Sequence, residues 1–380
     1  MIDCFEFIHC MENCGIDFVT GVPDSLLKDI CACMASVLGP KRHIIATNEG
    51  SAVGLAIGHY LATSRPALVY MQNSGLGNAI NPITSLADKR VYAVPMVLMI
   101  GWRGEMLINN TQLHDEPQHI KQGQITLEQL DILEIPYRVV DASKHLIGEY
   151  LQQSVLDCLA IQGPTALVIR KNTFAPFKNV FPLQIGVEIR REEAIRQVLS
   201  MVPASAAIVS TTGMISRELY ELREETGNQH NRDFLTVGGM GHASQIAAGI
   251  AFAQPNRRVV CIDGDGSLLM HTGSLAVSAD CSNLVHIVLN NEAHDSVGGQ
   301  PTKGNTLRFD HIAYALGYKH VDIAISSDEI REKLARMFTL KDSAFLEIRC
   351  KRGARMDLGR PRCSPVNNKK EFMKFLGMDQ

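Results

Sequence analysis

Short runs of consecutive apolar, often β-branched residues alternate along the whole chain with longer stretches whose apolar positions recur at helical spacing. Runs too short for a helix and apolar on both faces predict central strands of a parallel sheet, and the amphipathic stretches between them predict the helices that cover it. In the first half, strands are predicted at 18–21, 43–46, 67–71, 95–101, 137–140 and 165–169. Helices fit at 25–37 behind an Asp24 cap, at 49–62 behind Asn48, and at 127–133 and 144–159. Prolines and aromatics from Phe174 to Pro182 break the rhythm, which predicts a linker over 176–190. A second series follows, with strands at 206–210, 234–237, 258–262, 285–289 and 344–348 and helices at 192–199, 214–222, 243–253, 267–279, 309–316 and 328–337. The reading is α/β: two domains, 1–175 and 191–380, each a mostly parallel sheet flanked by helices, the second ending in a basic tail.

Composition narrows the class. Of 380 residues, 46% are hydrophobic and 20% charged, enough to bury two cores and too apolar for a disordered chain. The formal charge of -3 and the lack of a long basic stripe argue against nucleic acid as a partner. Apolar runs such as 94–100 fall well short of the ~20 residues that cross a bilayer, and no basic segment precedes an apolar stretch at the N-terminus, so a cytoplasmic location is expected. Ten cysteines invite a metal or disulfide reading, but Cys4, Cys10, Cys14, Cys31 and Cys33 sit at helical spacing among apolar residues, and Cys261 and Cys350 end strand-like runs. They are expected to pack as small buried hydrophobes.

The candidate chemistry gathers at strand ends. The predicted strand 258–262 runs into Gly264-Asp265-Gly266-Ser267 at a helix start, and the next strand ends at Asn290-Asn291. In a parallel sheet both ends lie at the edge where ligands bind. A carboxylate and an amide oxygen are hard ligands suited to Mg²⁺, and glycine turns at a helix N-terminus let backbone N–H groups approach phosphate. Alone, Gly-Asp-Gly could be a simple chain reversal; with Asn-Asn one α/β unit later it predicts a metal–diphosphate site. Glu49, on its own, reads as a helix-start carboxylate facing the helix dipole.

These motifs closely resemble the fingerprint of the thiamine-diphosphate (ThDP) enzymes, and the resemblance covers nearly the whole chain. It implies two ThDP-binding-type domains, 1–175 of pyrimidine type and 191–380 of diphosphate type, without the third central domain that most of the family's decarboxylases carry. It implies that Asp265, Asn291 and the main-chain carbonyl of Ala293 bind Mg²⁺, that Gly264, Gly266 and Ser267 face the diphosphate, and that Glu49 binds the pyrimidine ring and drives its tautomerisation. Val237-Gly238-Gly239-Met240-Gly241 resembles the segment in which a bulky side chain, here Met240, props the bent cofactor while a carbonyl, here of Gly238, holds its amino group. Ser74-Gly75-Leu76-Gly77-Asn78 resembles the cofactor-facing loop of the pyrimidine domain, and Thr212 and Gly213 match positions on the diphosphate side. Glu292 departs from the pattern, since glycine is commoner there, and adds a charge near the metal.

The run from Asn290 to Thr302, with Thr211-Thr212-Gly213 and Ser216-Arg217-Glu218-Leu219, narrows the resemblance to the branch that decarboxylates 3-phosphonopyruvate to phosphonoacetaldehyde and CO₂ in 2-aminoethylphosphonate biosynthesis. The sulfopyruvate branch is its nearest neighbour. Two other readings stay open: an acetolactate-type carboligase on the same cofactor, and a nucleotide-binding module that uses the glycine turns without Glu49. The resemblance also implies a homodimer or larger homo-oligomer whose active sites span subunits, with Glu49 of one chain serving Asp265 of another. The carbon that loses CO₂ must be protonated, for which His114, His119 and His294 are candidates, the first two in a polar loop over 111–124. A phosphonate dianion calls for cations, and Arg103, Arg355 and Arg360, with Lys303 behind them, are candidates.

Overall fold

A computed structural model describes residues 1–107, 111–142, 146–178 and 186–378. They form two compact units, one up to residue 178 and one from residue 186. The middle of the expected linker and the predicted start of the helix at 144 lie outside the described residues.

The first unit runs α1 (Cys4–Asn13), β1 (Val19–Gly21), α2 (Lys28–Val37), β2 (His43–Ile45), α3 (Glu49–Thr63), β3 (Ala67–Gln72), α4 (Leu76–Pro82), β4 (Met96–Gly101), α5 (Pro117–Ile132), β5 (Tyr137–Val140), α6 (Ile147–Ile161) and β6 (Pro164–Ile169). Its sheet has the order β2-β1-β3-β4-β6-β5, every pair parallel. Alternation along the central strands splits the core in two. Leu68, Tyr70, Val97 and Met99 pack on one face with residues of α1, α2 and α6, while Val69, Met71, Leu98 and Ile100 pack on the other with α3 and α4. The order reverses between β1 and β3, so the loops leaving β1, β2 and β3 flank a crevice at the carboxyl edge.

The second unit runs α7 (Arg191–Met201), β7 (Ala207–Ser210), α8 (Met214–Thr226), β8 (Asp233–Leu235), α9 (Ala243–Ala253), β9 (Val259–Gly264), α10 (Asp265–Met270), α11 (Leu275–Ser278), β10 (Leu284–Asn290), β11 (Ala293–His294), β12 (Gln300–Pro301), α12 (Phe309–Ala315), β13 (His320–Ala324), α13 (Ser327–Thr339), β14 (Ala344–Arg349) and α14 (Pro365–Phe375). The order β13-β14-β10-β9-β7-β8 is again all parallel, and its reversal lies between β7 and β9. β11 and β12 form a small antiparallel hairpin beyond β10.

Several elements depart from the pattern-based reading. The polar loop expected over 111–124 becomes helix from Pro117, since Pro at the first helical position supplies a preset φ and needs no N–H partner. Asp24 does not cap α2; it accepts from Leu26 N at 3.0 Å in the preceding turn, and the helix begins only at Lys28. The helix expected at 267–279 breaks at His271 into α10 and α11. β13, an edge strand of half-buried residues, carries no apolar run to announce it. The basic tail is not merely solvated: α14, capped by Ser364, places Asn368 along the open edge of β8, accepting from Leu235 N at 3.0 Å and donating to Asp233 O at 2.7 Å. It thereby satisfies backbone groups an edge strand would leave bare. The cysteines are unpaired; Cys4, Cys31, Cys33, Cys261 and Cys350 are buried as expected, whereas Cys10 and Cys14, expected to pack inside, are only half-buried. Among the described residues no helix is long and apolar enough to cross a membrane.

Candidate active site

In the first unit, the extended Asn48 caps α3 through Oδ1, which accepts from Ser51 N at 2.8 Å, and Glu49 follows as the first helical residue. Its side chain turns inward and only 6% of the residue is exposed. Asn78 Nδ2 donates to Oε2 at 2.8 Å, which favours the ionised form, but burial outweighs it and raises the pKa above that of an ordinary glutamate. Gly75, after β3, leaves the space the carboxylate fills: a β-carbon there would lie 2.6 Å from Oε1. Ser74 is exposed beside it and accepts from Gln72 Nε2 at 2.6 Å.

Asp24, read from sequence as a cap, is the functional candidate that pattern reasoning missed. It follows β1, is 1% exposed, and is pushed up to about 6 by burial, with nearby Arg103 opposing. Oδ1 has no hydrogen-bond partner among the described residues, and only a glycine at 101 admits the side chain, since a β-carbon there would lie 2.1 Å from Oδ2. Arg103 is fixed rather than free: Nε donates to Asp115 Oδ2 at 2.8 Å, Nη2 to Asp115 Oδ1, and Nη1 to Ser25 Oγ at 2.6 Å. His119, on α5 and not in a loop, is buried, and that burial lowers it to about 4. His114 is exposed.

In the second unit, Leu289 pairs with Gly264, so Asp265 and Asn291 emerge side by side at the carboxyl edge of β9 and β10. Together with Thr212, Met240, Gly264, Gly266, Ser267 and Ala293 they line one cavity of about 80 Å³. Gly213 caps α8 beside it, and Gly238 lies outside its lining. Ser267 knits three segments together, with Oγ accepting from Gly241 N at 3.0 Å and lying 2.8 Å from Thr211 Oγ1. Asp265 is 2% exposed, and desolvation pushes it up to about 7 although the Thr302 hydroxyl donates to Oδ2. A carboxylate held dry at such cost, beside an amide and a main-chain carbonyl, is a hard-oxygen set that fits a divalent cation, which would restore the ionised form.

The remaining candidates fall elsewhere. His294 packs on the backbone of Gly266 at the cavity wall, and burial lowers it to about 4, which favours the neutral imidazole over the more acidic imidazolium at neutral pH. Arg355 is engaged by Glu192 at 3.0 Å, by Glu221 and by Asp357 at 3.2 Å, and so arrives already neutralised. Arg360 and Lys303 are exposed. Glu292 takes the left-handed conformation (φ 58°) that explains why glycine suits the position, and Arg352 answers its charge, donating to Glu292 O at 3.3 Å and lying 3.6 Å from Oε2.

Comparison with known proteins gives the family. Residues 6–129 match the N-terminal TPP binding domain of the thiamine pyrophosphate enzymes, and residues 209–348 match the C-terminal TPP binding domain. Over 99% of its length the chain is 33% identical to the phosphonopyruvate decarboxylase of Streptomyces viridochromogenes, covering 95% of that protein. It is 32% identical to the phosphonopyruvate decarboxylase of Streptomyces hygroscopicus, with 99% and 94% of the two chains covered. The sulfopyruvate decarboxylase of Methanosarcina acetivorans is 24% identical over 92% of this chain and 91% of its own. With both cofactor-binding domains matched, and full-length similarity above 30% to enzymes of one kind, the chain belongs to the thiamine pyrophosphate-dependent decarboxylases, in the phosphonopyruvate decarboxylase family.

Proposed function

We propose that the chain catalyses non-oxidative decarboxylation of 3-phosphonopyruvate to phosphonoacetaldehyde, for 2-aminoethylphosphonate biosynthesis, with thiamine diphosphate and Mg²⁺ as cofactors. The observation that carries the reading is the buried pair Asp265 and Asn291 at one sheet edge, with Ala293, whose carbonyl the resemblance adds to the ligands, in the same cavity lining. The substrate is inferred from the two Streptomyces relatives, to which the chain is similar end to end. When bound, thiamine diphosphate supplies the electron sink that no side chain offers for breaking the bond to the carboxyl carbon.

Asp265, Asn291 and Ala293 O would hold Mg²⁺ and so the diphosphate, with Ser267 and the N-terminus of α10 alongside. Glu49, biased toward its protonated form by burial, would donate to the pyrimidine ring. The carbon left by CO₂ needs a proton, and Asp24, at about 6, is better supplied with one near neutral pH than His119 or His294, both at about 4. Arg103, beside Asp24, is the first-unit candidate for a phosphonate dianion, which would have to share the guanidinium with Asp115 and Ser25. The working form is a cytoplasmic homodimer or larger oligomer with sites shared between chains.

Sulfopyruvate is the second reading, favoured by the Methanosarcina relative. Calorimetric titration of ThDP in the presence of Mg²⁺ tests the site itself: the wild type should bind and Asp265→Ala should not. Equal binding by both would remove the metal assignment.

A further inference from the structure

Asn291 poses a chemical ambiguity. Its side-chain amide has an oxygen end that can bind a cation and an N–H end that repels one, and a half-turn about the Cβ–Cγ bond exchanges them. The structure removes that freedom. Nδ2 donates to Asp295 Oδ2 at 2.5 Å, and an ionised carboxylate is acceptor only, so it can face nothing but the nitrogen end. Oδ1 is thereby turned to the opposite side, where Ala293 N donates to it at a long 3.3 Å.

Asp295 is itself over-determined. The same Oδ2 accepts from Arg191 Nη1 at 2.6 Å and from Gly353 N at 2.9 Å. Arg191 is 4% exposed, and its other edge is gripped by Glu218, with Nε to Oε2 and Nη2 to Oε1 both at 2.8 Å. This fork fixes the guanidinium in the one plane from which Nη1 reaches Asp295. It also places a positive charge against Asp295, so that a second carboxylate beside Asp265 does not add an unopposed negative charge at a site meant for a diphosphate. The hairpin of β11 and β12 completes the frame. Gly299 N donates to His294 O at 2.9 Å and Thr302 N to Glu292 O at 3.1 Å, which fixes the turn bearing Asp295 and also the hydroxyl that donates to Asp265.

We propose that Asp295 is a positioning residue of the metal site: it sets the Asn291 amide with its oxygen as the ligand end, and Arg191 holds and neutralises it in that task. The inference rests on the metal–diphosphate reading above and goes beyond it to a residue that touches neither substrate nor cofactor. Partners of this kind behind a metal ligand typically change affinity by about 10–100-fold.

The test uses Mn²⁺ as probe, its free concentration followed by electron paramagnetic resonance as it is titrated into full-length protein with ThDP present. The wild type and Asp265→Ala come first, since failure of the wild type to bind Mn²⁺ would bring down the metal reading itself. Given wild-type binding, Asp295→Ala should weaken Mn²⁺ affinity by about 10–100-fold, and Asp295→Asn, which keeps the volume and guards against a folding failure, should weaken it in the same direction. In an Asn291→Ala background the further change to Asp295→Ala should cost less than about twofold, because there is no amide left to orient. Either of two results would overturn the proposal: Mn²⁺ affinity within about threefold of wild type in both Asp295 variants, or an equal loss with and without Asn291, which marks a merely structural anchor for Gly353.

Discussion

Glu49 occupies space that exists only because residue 75 is glycine: a β-carbon on Gly75 would sit 2.6 Å from Oε1 and 2.7 Å from Cγ. The backbone there is ordinary helical (φ -68°, ψ -18°), so alanine meets no conformational penalty and the nearest conflict is with the Glu49 side chain. Gly75→Ala should therefore leave the fold intact and push Glu49 aside. Its kcat should fall by ~10²–10⁴, the range of a lost proton-transfer group, with ThDP affinity little changed. Glu49→Gln, which keeps the shape and loses the proton, should behave alike, and the two changes combined should cost little more than either alone. Steady-state kinetics beside ThDP titrations check this; additive losses would show that Gly75 acts elsewhere.

Much of this site was legible in the sequence, for a physical reason. Asp265 and Asn291 sit where two strands of one parallel sheet end, and such positions share one edge whatever the loops do; Glu49 sits at the corresponding kind of position, after β2, in the sheet of the first unit. What stayed hidden depends on contacts between distant segments. Asp24 has the local pattern of a helix cap, and only the approach of Gly101 and Arg103 makes it a buried acid. Arg191, Glu218, Asp295 and Gly353 come from four separate segments, and no spacing announces that they meet. His119 was placed in a loop because α5 is polar over its first two turns, and β13 was missed because a half-buried edge strand lacks an apolar run.

Glu292 breaks the family pattern at a left-handed position, at a cost of about 1 kcal/mol or more for a residue with a β-carbon. Its ion pair with Arg352 is long, 3.6 Å, and partly solvated, so it returns less than about 1 kcal/mol. Glu292→Gly should then be neutral to slightly stabilising in denaturant unfolding, and Arg352 should keep its bond to the main-chain carbonyl. A loss above about 2 kcal/mol would mean that the side chain supports the metal loop in a way the ion pair does not reveal.

His119 provides a pH signature. Its ordinary value of 6.5 is lowered to about 4, chiefly by burial. Between those values the unfolded chain binds a proton that the folded chain refuses, so this group contributes a loss of stability as pH falls from 6.5 toward 4 and nothing above that window. His119→Gln removes the effect. The melting temperature of the variant minus that of the wild type should be constant above about pH 7 and rise by at least about 2 °C on descending to pH 4.5. A difference independent of pH would show that His119 titrates normally.

The central claim is decarboxylation of a phosphonate-bearing 2-oxo acid, and the direct measurement is aldehyde and CO₂ release from 3-phosphonopyruvate, sulfopyruvate and pyruvate, assayed side by side with ThDP and Mg²⁺. Cations and N–H groups set for a dianion are left buried and unpaired when a methyl group takes its place, so kcat/KM for pyruvate should be lower by ~10³ or more. One phosphonoacetaldehyde per CO₂, no acyloin, and a clear preference for phosphonopyruvate over sulfopyruvate are the predicted results. Equal kcat/KM for pyruvate and phosphonopyruvate, or acyloin as the main product, would contradict the account, and a preference for sulfopyruvate would transfer the assignment to the second reading.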